Sequence, residues 1–409
     1  MGEILFIAHR LPFPPDRGDK IRSHHILKHL ASLAPVHVAT FADDEADFAA
    51  ETGLAALAAS YCLRRRSKPL ALAAVQAVAL GQPVSLAAFH DRALAGYVAD
   101  VLATRPISAI YVFSGQMGQY VPASFAGRLI VDLVDVDSAK FEAYARKRGG
   151  LIARIEMREA KLLAAEEARL AARAAVTLLV SPAEADLFRS RLPAGHGADV
   201  RAIGNGIDCI GYDPALVMPE PRMMVDSGPR LIFTGQMDYT PNVDAVRRVL
   251  DRILPRIRAV RSDVTFHVVG RNPAPELLAR HGEHGCHIWG RVDDIRPWLA
   301  AATHALIPLE IGRGVQNKVL EAMAMALPVV VSGEAATGIP AQSGKHFAVA
   351  DSDEALAEAV LALLDEPARA RALGLAARSF VLDHASWEAA LAPLARIMTG
   401  SDGDQRNAA

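Results

Sequence analysis

The chain is short of cysteine, of net charge and of long apolar runs. Cys62, Cys209 and Cys286 are the only cysteines in 409 residues. They are widely spaced and form neither a CxxC pair nor a zinc pattern, which points to a reducing compartment. Lysine and arginine number 44 against 46 aspartates and glutamates. That balance offers no global attraction for nucleic acid, so no nucleic acid partner is expected. The longest apolar stretch, LALAAVQAVALG at Leu70–Gly81, is too short to span a bilayer. The opening MGEILFIAHR has a brief apolar run with no basic flank and no cleavage site. It reads as a first strand and not as a signal peptide. No GxGxxG follows that strand, which argues against a dinucleotide-dependent dehydrogenase. Low-complexity segments and short repeats are also missing. The polar end GSDGDQRNAA, 400–409, reads as a disordered tail.

What is present is alternation. Apolar strand-like runs at Ile4–Ala8, Val36–Thr40, Ile110–Phe113, Leu129–Leu133 and Val176–Val180 are separated by helical stretches such as Ile21–Leu33 and Ala153–Ala174. A second series follows at Arg230–Thr234, Thr265–Val269, His287–Trp289, Ala305–Pro308 and Pro328–Ser332, with helices at Asp244–Ala259, Arg296–Ala301 and Asn317–Met325. Uninterrupted apolar strands between helices predict parallel sheets covered on both faces. The chain is also too long for one ordinary core. We therefore expect an α/β protein of two doubly wound Rossmann-like domains. The boundaries read as 1–205, a Pro-, Gly- and Met-rich linker at 206–229, a domain at 230–380 and a terminal helix at 381–399. Ligands of such sheets bind beyond the carboxyl ends of the strands, so the cleft between the domains is the expected site.

The densest stretch is RGVQNKVLEAMAMALPVVVSG, Arg313–Gly333. It reads as a loop, a helix and a strand. A helix start exposes unpaired N–H groups and the positive end of the dipole, and so attracts anions. Lys318, one turn in, adds a mobile cation suited to phosphate. Glu321 shares its face and can accept from ribose hydroxyls. Diphosphate and ribose read by one helix describe a sugar nucleotide. An ordinary amphipathic helix with a Lys/Glu surface pair fits the same residues.

GVQNKVLEAMAMALPVV resembles the nucleotide-sugar motif of GT-B glycosyltransferases, specifically the large family 4 of retaining enzymes. FTGQMDYTPNVDAV (Phe233–Val246), FHVVGRNP (Phe266–Pro273), IWGRVDDIRPWLAAATHALIPL (Ile288–Leu309) and IGNGID (Ile203–Asp208) are similar to that family's strand, base-holding and linker segments, in the same order. The opening HRLPFPPDRGDKIRSHHILKHLA and LVDVDSAKFEAYA (Leu133–Ala145) resemble a narrower subgroup, the sugar transferases associated with exosortase (PEP-CTERM) exopolysaccharide clusters. The resemblance implies a GT-B architecture with two domains facing a central cleft. It also implies donor contacts from Gly235, Gln236, Arg291, Val292, Gly312, Arg313, Gly314, Lys318 and Glu321.

Three departures stand out. The family's two-glutamate motif keeps Glu321, but its first member falls on Arg313, with Glu310 nearby and out of register. The arginine usual after the first C-terminal strand is missing from Gly235-Gln236-Met237-Asp238, which leaves Lys318, helix-end amides and Arg313 to meet a diphosphate. Ala326 replaces a helix-ending glycine, at a cost of about 1 kcal/mol if the position is left-handed.

The N-terminal domain is expected to hold the acceptor. Gly18, Asp19 and Arg22 form the acceptor-side loop and helix start. Asp19 reads as a helix cap, and Arg22 as facing cleft or solvent. Many relatives carry a catalytic-site histidine near VDLVDVDS; the candidates here are Asp135 and Asp137, with Asp137 favoured. Asp132, Asp135 and Asp137 could suggest a metal, but the resembling fold works without one, so no metal and no bound cofactor are expected. His24 and His25 read as structural, and Trp387 as packing. The basic run RRRSKP, Arg64–Pro69, reads as a solvated helix end or, through Arg64–Lys68, as a peripheral membrane contact for a lipid-linked acceptor.

The expected function is metal-independent sugar transfer, with retention, from a nucleotide diphosphate sugar to a glycan or lipid-linked acceptor. The expected place is the cytoplasm, with peripheral contact at the inner face of the plasma membrane. Catalytic roles fall on Lys318, Asp137 and Asp135. A UDP-sugar 2-epimerase of the same fold and a non-catalytic sugar-nucleotide-binding protein are the alternatives.

Overall fold

A computed structural model describes residues 2–225, 227–312 and 314–401. Arg313 and most of the tail, 402–409, lie outside the described residues. The chain divides into two compact units. One comprises residues up to Asn205 together with those from Ala390 onward, and the other is Gly206–Ala389.

The first unit contains β1 (Glu3–Ala8), β2 (Val36–Ala42), β3 (Ser60–Arg65), β4 (Ile107–Phe113), β5 (Arg128–Val134), β6 (Val176–Leu179) and β7 (Val200–Ala202). The second contains β8 (Arg230–Thr234), β9 (Thr265–Val269), β10 (Cys286–Gly290), β11 (His304–Ile307), β12 (Val329–Val331) and β13 (Ala348–Val349). The spatial orders are β3-β2-β1-β4-β5-β6-β7 and β10-β9-β8-β11-β12-β13, and neighbouring strands pair parallel throughout. Strand order reverses beside β1 and again beside β8, the doubly wound arrangement. Central strands are buried end to end; every residue of β2 and of β9 is buried. That explains their continuous apolar sequence.

All ten expected strands form. The three that sequence reading missed, β3, β7 and β13, are sheet edges. Two of them are only three and two residues long, and β3 ends in two arginines, so none carries an apolar run. Arg64 and Arg65, expected beside a helix, instead lie on edge strand β3, where charge discourages pairing with another chain. The helix expected at Asp244–Ala259 is interrupted by a π-helical turn at Val249–Ile253. Pro255 follows it, and a proline inside a helix removes one amide and crowds the carbonyl four residues back.

The helix Asn317–Ala324 ends in a Schellman motif. Leu327 N donates to Ala322 O and Ala326 N to Met323 O, at 3.1 and 3.0 Å. This places Ala326 at φ 56°, the left-handed region. The strain expected from the missing glycine is therefore present. Ala326→Gly relieves it, and calorimetry of the variant is expected to show the second unit melting about 2–4 °C higher. An unchanged or lower transition would show that the alanine is not strained there.

Candidate functional site

The second unit carries a cavity of about 610 Å3 at the carboxyl ends of β8, β9 and β10. Three glycines let the backbones close up there. Gly235 N donates to Val269 O and Gly270 N to Gly290 O, at 3.1 and 2.9 Å. A side chain on Gly270 would sit 1.6 Å from Gly235 O, so no other residue fits. Gly235 itself has φ 154° and faces Asn242 and Lys318. Six of the nine residues expected at a donor line this cavity: Gly235, Gln236, Arg291, Val292, Lys318 and Glu321.

Lys318 is the centre of the cavity's electrostatics. Its ammonium donates to Asn242 Oδ1 and lies 4.7 Å from the centroid of the buried Phe233 ring. Asn242 is itself fixed, because its Nδ2 donates to Gln236 O at 2.9 Å. Burial pushes the ammonium down to about 8, against a smaller upward pull from Glu321. Glu321 moves the other way, raised by burial and only partly restrained by Lys318 and by a hydrogen bond with Tyr212. Burial also raises the Tyr212 hydroxyl, with the Glu321 charge adding to it. The helix Asn317–Ala324 has no side-chain cap at its start. A cation held by a neutral amide and a ring face, at an uncapped helix start, suits an incoming anion.

Sequence reading missed Arg271, Asn242 and Tyr212. The cation absent after Gly235 comes from the next strand: Arg271 lines the same cavity, and its Nη2 donates to Gln236 Oε1 at 2.8 Å. The signal was its place directly after Gly270, the residue that follows β9. Gly312 and Gly314 do not line the cavity. The close approach at Gly312 is to the protein itself, since a side chain there would lie 2.1 Å from Glu334 O. Gly314 supplies a left-handed turn at φ 66°. Arg313 falls outside the described residues. Glu310 pairs with Arg252 at 2.7 Å.

In the first unit, Arg22 requires a correction. It faces neither a cleft nor solvent but is 1% exposed. Its Nε and Nη2 donate to Asp132 Oδ2 at 3.1 and 2.9 Å; its Nη1 donates to Ile203 O at 2.9 Å and Asn205 Oδ1 at 3.0 Å. Asp132 also accepts from the Tyr111 hydroxyl at 2.8 Å and from Val134 N at 3.0 Å. Both partners are thus spent on joining β5 to the end of the first unit's main segment. Asp19 is not the cap of the helix Gly18–Leu33; Arg17 holds that position and Asp19 lies in the first turn. Burial alone would raise the Asp19 carboxyl, but hydrogen bonds from His9 and Arg10 hold it far below the ordinary carboxylate range. Gly18 opens the same helix with open space around its Cα.

Asp135 and Asp137 follow Val134, a β-branched residue at φ 69°, which is a strained conformation. Both aspartates are half-exposed and share the Lys140 ammonium, at 2.8 and 3.2 Å. With Asp132 given to Arg22 and the other two to Lys140, the three do not converge on a cation. Among the described residues no three histidine, cysteine, aspartate or glutamate side chains group to hold a metal. His24 packs edge-on against Phe13 and His25, and Trp387 is buried. The basic run is occupied by the protein: Arg64 and Arg66 reach Asp91 and Asp43, Arg65 reaches Glu45, and Lys68 donates to Ala87 O and His90 O.

These two parallel Rossmann-like units define the fold of GT-B glycosyltransferases. Residues 228–366, about the extent of the second unit's sheet, match the family model described as glycosyl transferases group 1. Glycosyl transfer is the activity which that description names. Among solved structures, Anabaena Alr3699/HepE in complex with UDP is similar at 16% identity and TM-score 0.59, covering 97% of this chain and 100% of that one. Sucrose-phosphate synthase from Thermosynechococcus elongatus is similar at 16% identity and TM-score 0.54, covering all of both chains. WaaG, a glycosyltransferase involved in lipopolysaccharide biosynthesis, is similar at 16% identity and TM-score 0.52, covering 97% and 100%. No curated protein matches the chain.

The Lys318 ammonium gives a direct test. Its value in the folded chain, about 8, lies below the ordinary 10.5. Below pH 8 both states are protonated and the folded state bears the whole cost of burying the charge. Between about pH 8 and 10.5 the folded chain sheds the proton first, so the cost fades as pH rises. Lys318→Met removes a penalty of up to about 3 kcal/mol at pH 7. Ligand-free melts are expected to show the variant above wild type at pH 7, with the gap closing towards pH 10. A variant less stable at pH 7 would contradict the assignment.

Proposed function

We propose that the chain transfers a sugar from a nucleotide diphosphate sugar to a glycan or lipid-linked acceptor, with retention, in exopolysaccharide or cell-surface polysaccharide synthesis. The observation that carries this is Lys318, a partly buried ammonium with no hydrogen-bonded anion among the described residues, at the start of a helix without a side-chain cap and lining one cavity with Arg271. Three cations, Lys318, Arg271 and Arg291, line this one cavity, which suits a diphosphate. HepE, similar in fold, is described in complex with UDP, UDP and glucose, and UDP-glucose.

In this reading the diphosphate is the leaving group, and negative charge grows on its oxygens as the sugar departs. Lys318 and the first-turn amides stabilise that charge more in the transition state than in the ground state. Arg271, oriented by Gln236, takes the place of the arginine missing after β8. Glu321, steadied by Tyr212, accepts from ribose hydroxyls, and Arg291 and Val292 flank the base. In the first unit, Asp137 or Asp135 orients the acceptor hydroxyl or faces the oxocarbenium-like sugar. The reaction proceeds without a metal in the cytoplasm, and the resemblance to exosortase-associated sugar transferases supports the exopolysaccharide role.

Ligand-observed NMR against a panel of nucleotide diphosphate sugars tests the donor site. Wild type is expected to bind at least one. Lys318→Ala is expected to abolish the signal, and Arg271→Ala to weaken it about tenfold, as for one charged hydrogen bond. Release of the nucleotide diphosphate in the presence of acceptor extracts then reports turnover. Failure of wild type to bind any of them would refute the reading; binding without turnover would favour a non-catalytic sugar-nucleotide-binding protein.

A further inference from the structure

The most apolar helix of the chain is built inside out. Helix Leu70–Leu80 contains no charged residue. Its buried positions are Ala73 and Ala77, packed with Ala87. Its large side chains, Leu70, Leu72, Val75, Val78 and Leu80, are 58–71% exposed. Burying one such side chain fully is worth about 1.5–3 kcal/mol, so turning alanines inward and leucines outward forgoes stability that the reverse would gain. Clustered exposure of this kind marks an interaction surface.

What lies beside the helix sets the chemistry of its cover. Arg158, on helix Gly150–Arg173, donates to Ala77 O at 3.1 Å. Glu159 accepts from Val84 N and Ser85 N at 2.8 and 3.1 Å. The first bond fixes the apolar helix to the long one, and the other two fix the short helix Val84–Ala88 that follows it. At this joint is a cavity of about 710 Å3 whose wall includes Met157, Leu162 and four cations, Arg146, Arg154, Arg158 and Lys161, with no acidic residue. Arg146 pairs with Glu142; among the described residues Arg154 and Lys161 form no ion pair. Ile152 and Ile155, about half-exposed, extend the apolar surface along the same helix.

We infer that helix Leu70–Leu80 and the first half of helix Gly150–Arg173 dock on an anionic lipid surface. The leucines and valines enter the acyl region and the cationic cavity takes a lipid phosphate. An uncharged apolar face bordered by lysine and arginine is the composition of interfacial membrane contacts. A second copy is a poor cover, because a twofold contact would bring the same cations together. The contact lies on these two helices and not on Arg64–Lys68, whose arginines pair with Asp91, Glu45 and Asp43 and whose lysine is bonded to backbone carbonyls. Among the described residues no helix is long and apolar enough to cross a membrane, so this is surface docking. The inference does not depend on sugar transfer.

Flotation of the full chain with vesicles tests it. Vesicles of equal parts phosphatidylglycerol and phosphatidylcholine are expected to carry the protein up, and pure phosphatidylcholine vesicles are not. Leu72→Glu/Val75→Glu/Val78→Glu is expected to abolish flotation. Arg154→Glu/Lys161→Glu is expected to weaken it at least about tenfold, at about 1 kcal/mol per cation near the surface. Arg64→Ala/Arg65→Ala is expected to leave it unchanged. Far-ultraviolet circular dichroism and the melting transition of each variant report folding separately. Wild type that ignores anionic vesicles, or a triple-glutamate or Arg154→Glu/Lys161→Glu variant that floats like wild type, would overturn the inference. So would a wild-type dimer in light scattering that the triple substitution converts to monomer, because a second copy would then be the cover.

Discussion

A partly buried ammonium, set over a phenylalanine ring and with no hydrogen-bonded anion among the described residues, is the constraint around which the second unit is arranged. Lys318 can be buried only because Asn242 accepts from it, and Asn242 can accept only because its own amide is held by Gln236 O. That carbonyl is in place because Gly235 and Gly270 let two strand ends approach to backbone contact. Three glycines, one amide and one cation thus form a single dependency, and the cavity they enclose is costly until an anion enters it. A site of this kind trades stability for binding.

The first unit shows the reverse economy. Its charges are consumed internally. Arg22 and Asp132 neutralise each other in the interior, Lys140 holds Asp135 and Asp137, and Asp43 receives Arg10 and Arg66. A buried arginine with all its directions used supports the architecture and recognises nothing. What this unit leaves open is apolar, on helix Leu70–Leu80, and cationic, beside Arg154 and Lys161.

The sequence was legible where chemistry is local. Central strands announce themselves because both faces are buried, and Lys318 and Glu321 announce themselves because three residues of helix separate them. It was illegible where partners are distant. Nothing within a window around Arg22 shows that Asp132, 110 residues on, will claim it. Arg271 stands next to a recognisable glycine, yet only the packing of β9 against β8 turns it towards Gln236. Strands β3, β7 and β13 escaped because the first ends in arginines and the other two are too short to show an apolar pattern. The left-handed Ala326 was foreseeable, because a helix stop is written in a few consecutive residues.

The division of the chain has a consequence for the order of its making. The second unit, Gly206–Ala389, is continuous, whereas the first is completed by residues from Ala390 onward. Leu391, Leu394, Ile397 and Met398 in that last segment are buried, and Arg128 on β5 donates to Ile397 O. A ribosome adding about 5–20 residues per second delivers these side chains at least about nine seconds after Asn205. The part of the protein that is synthesised first therefore finishes folding last, and during translation its incomplete core must wait, exposed to chaperones, while the middle of the chain closes ahead of it.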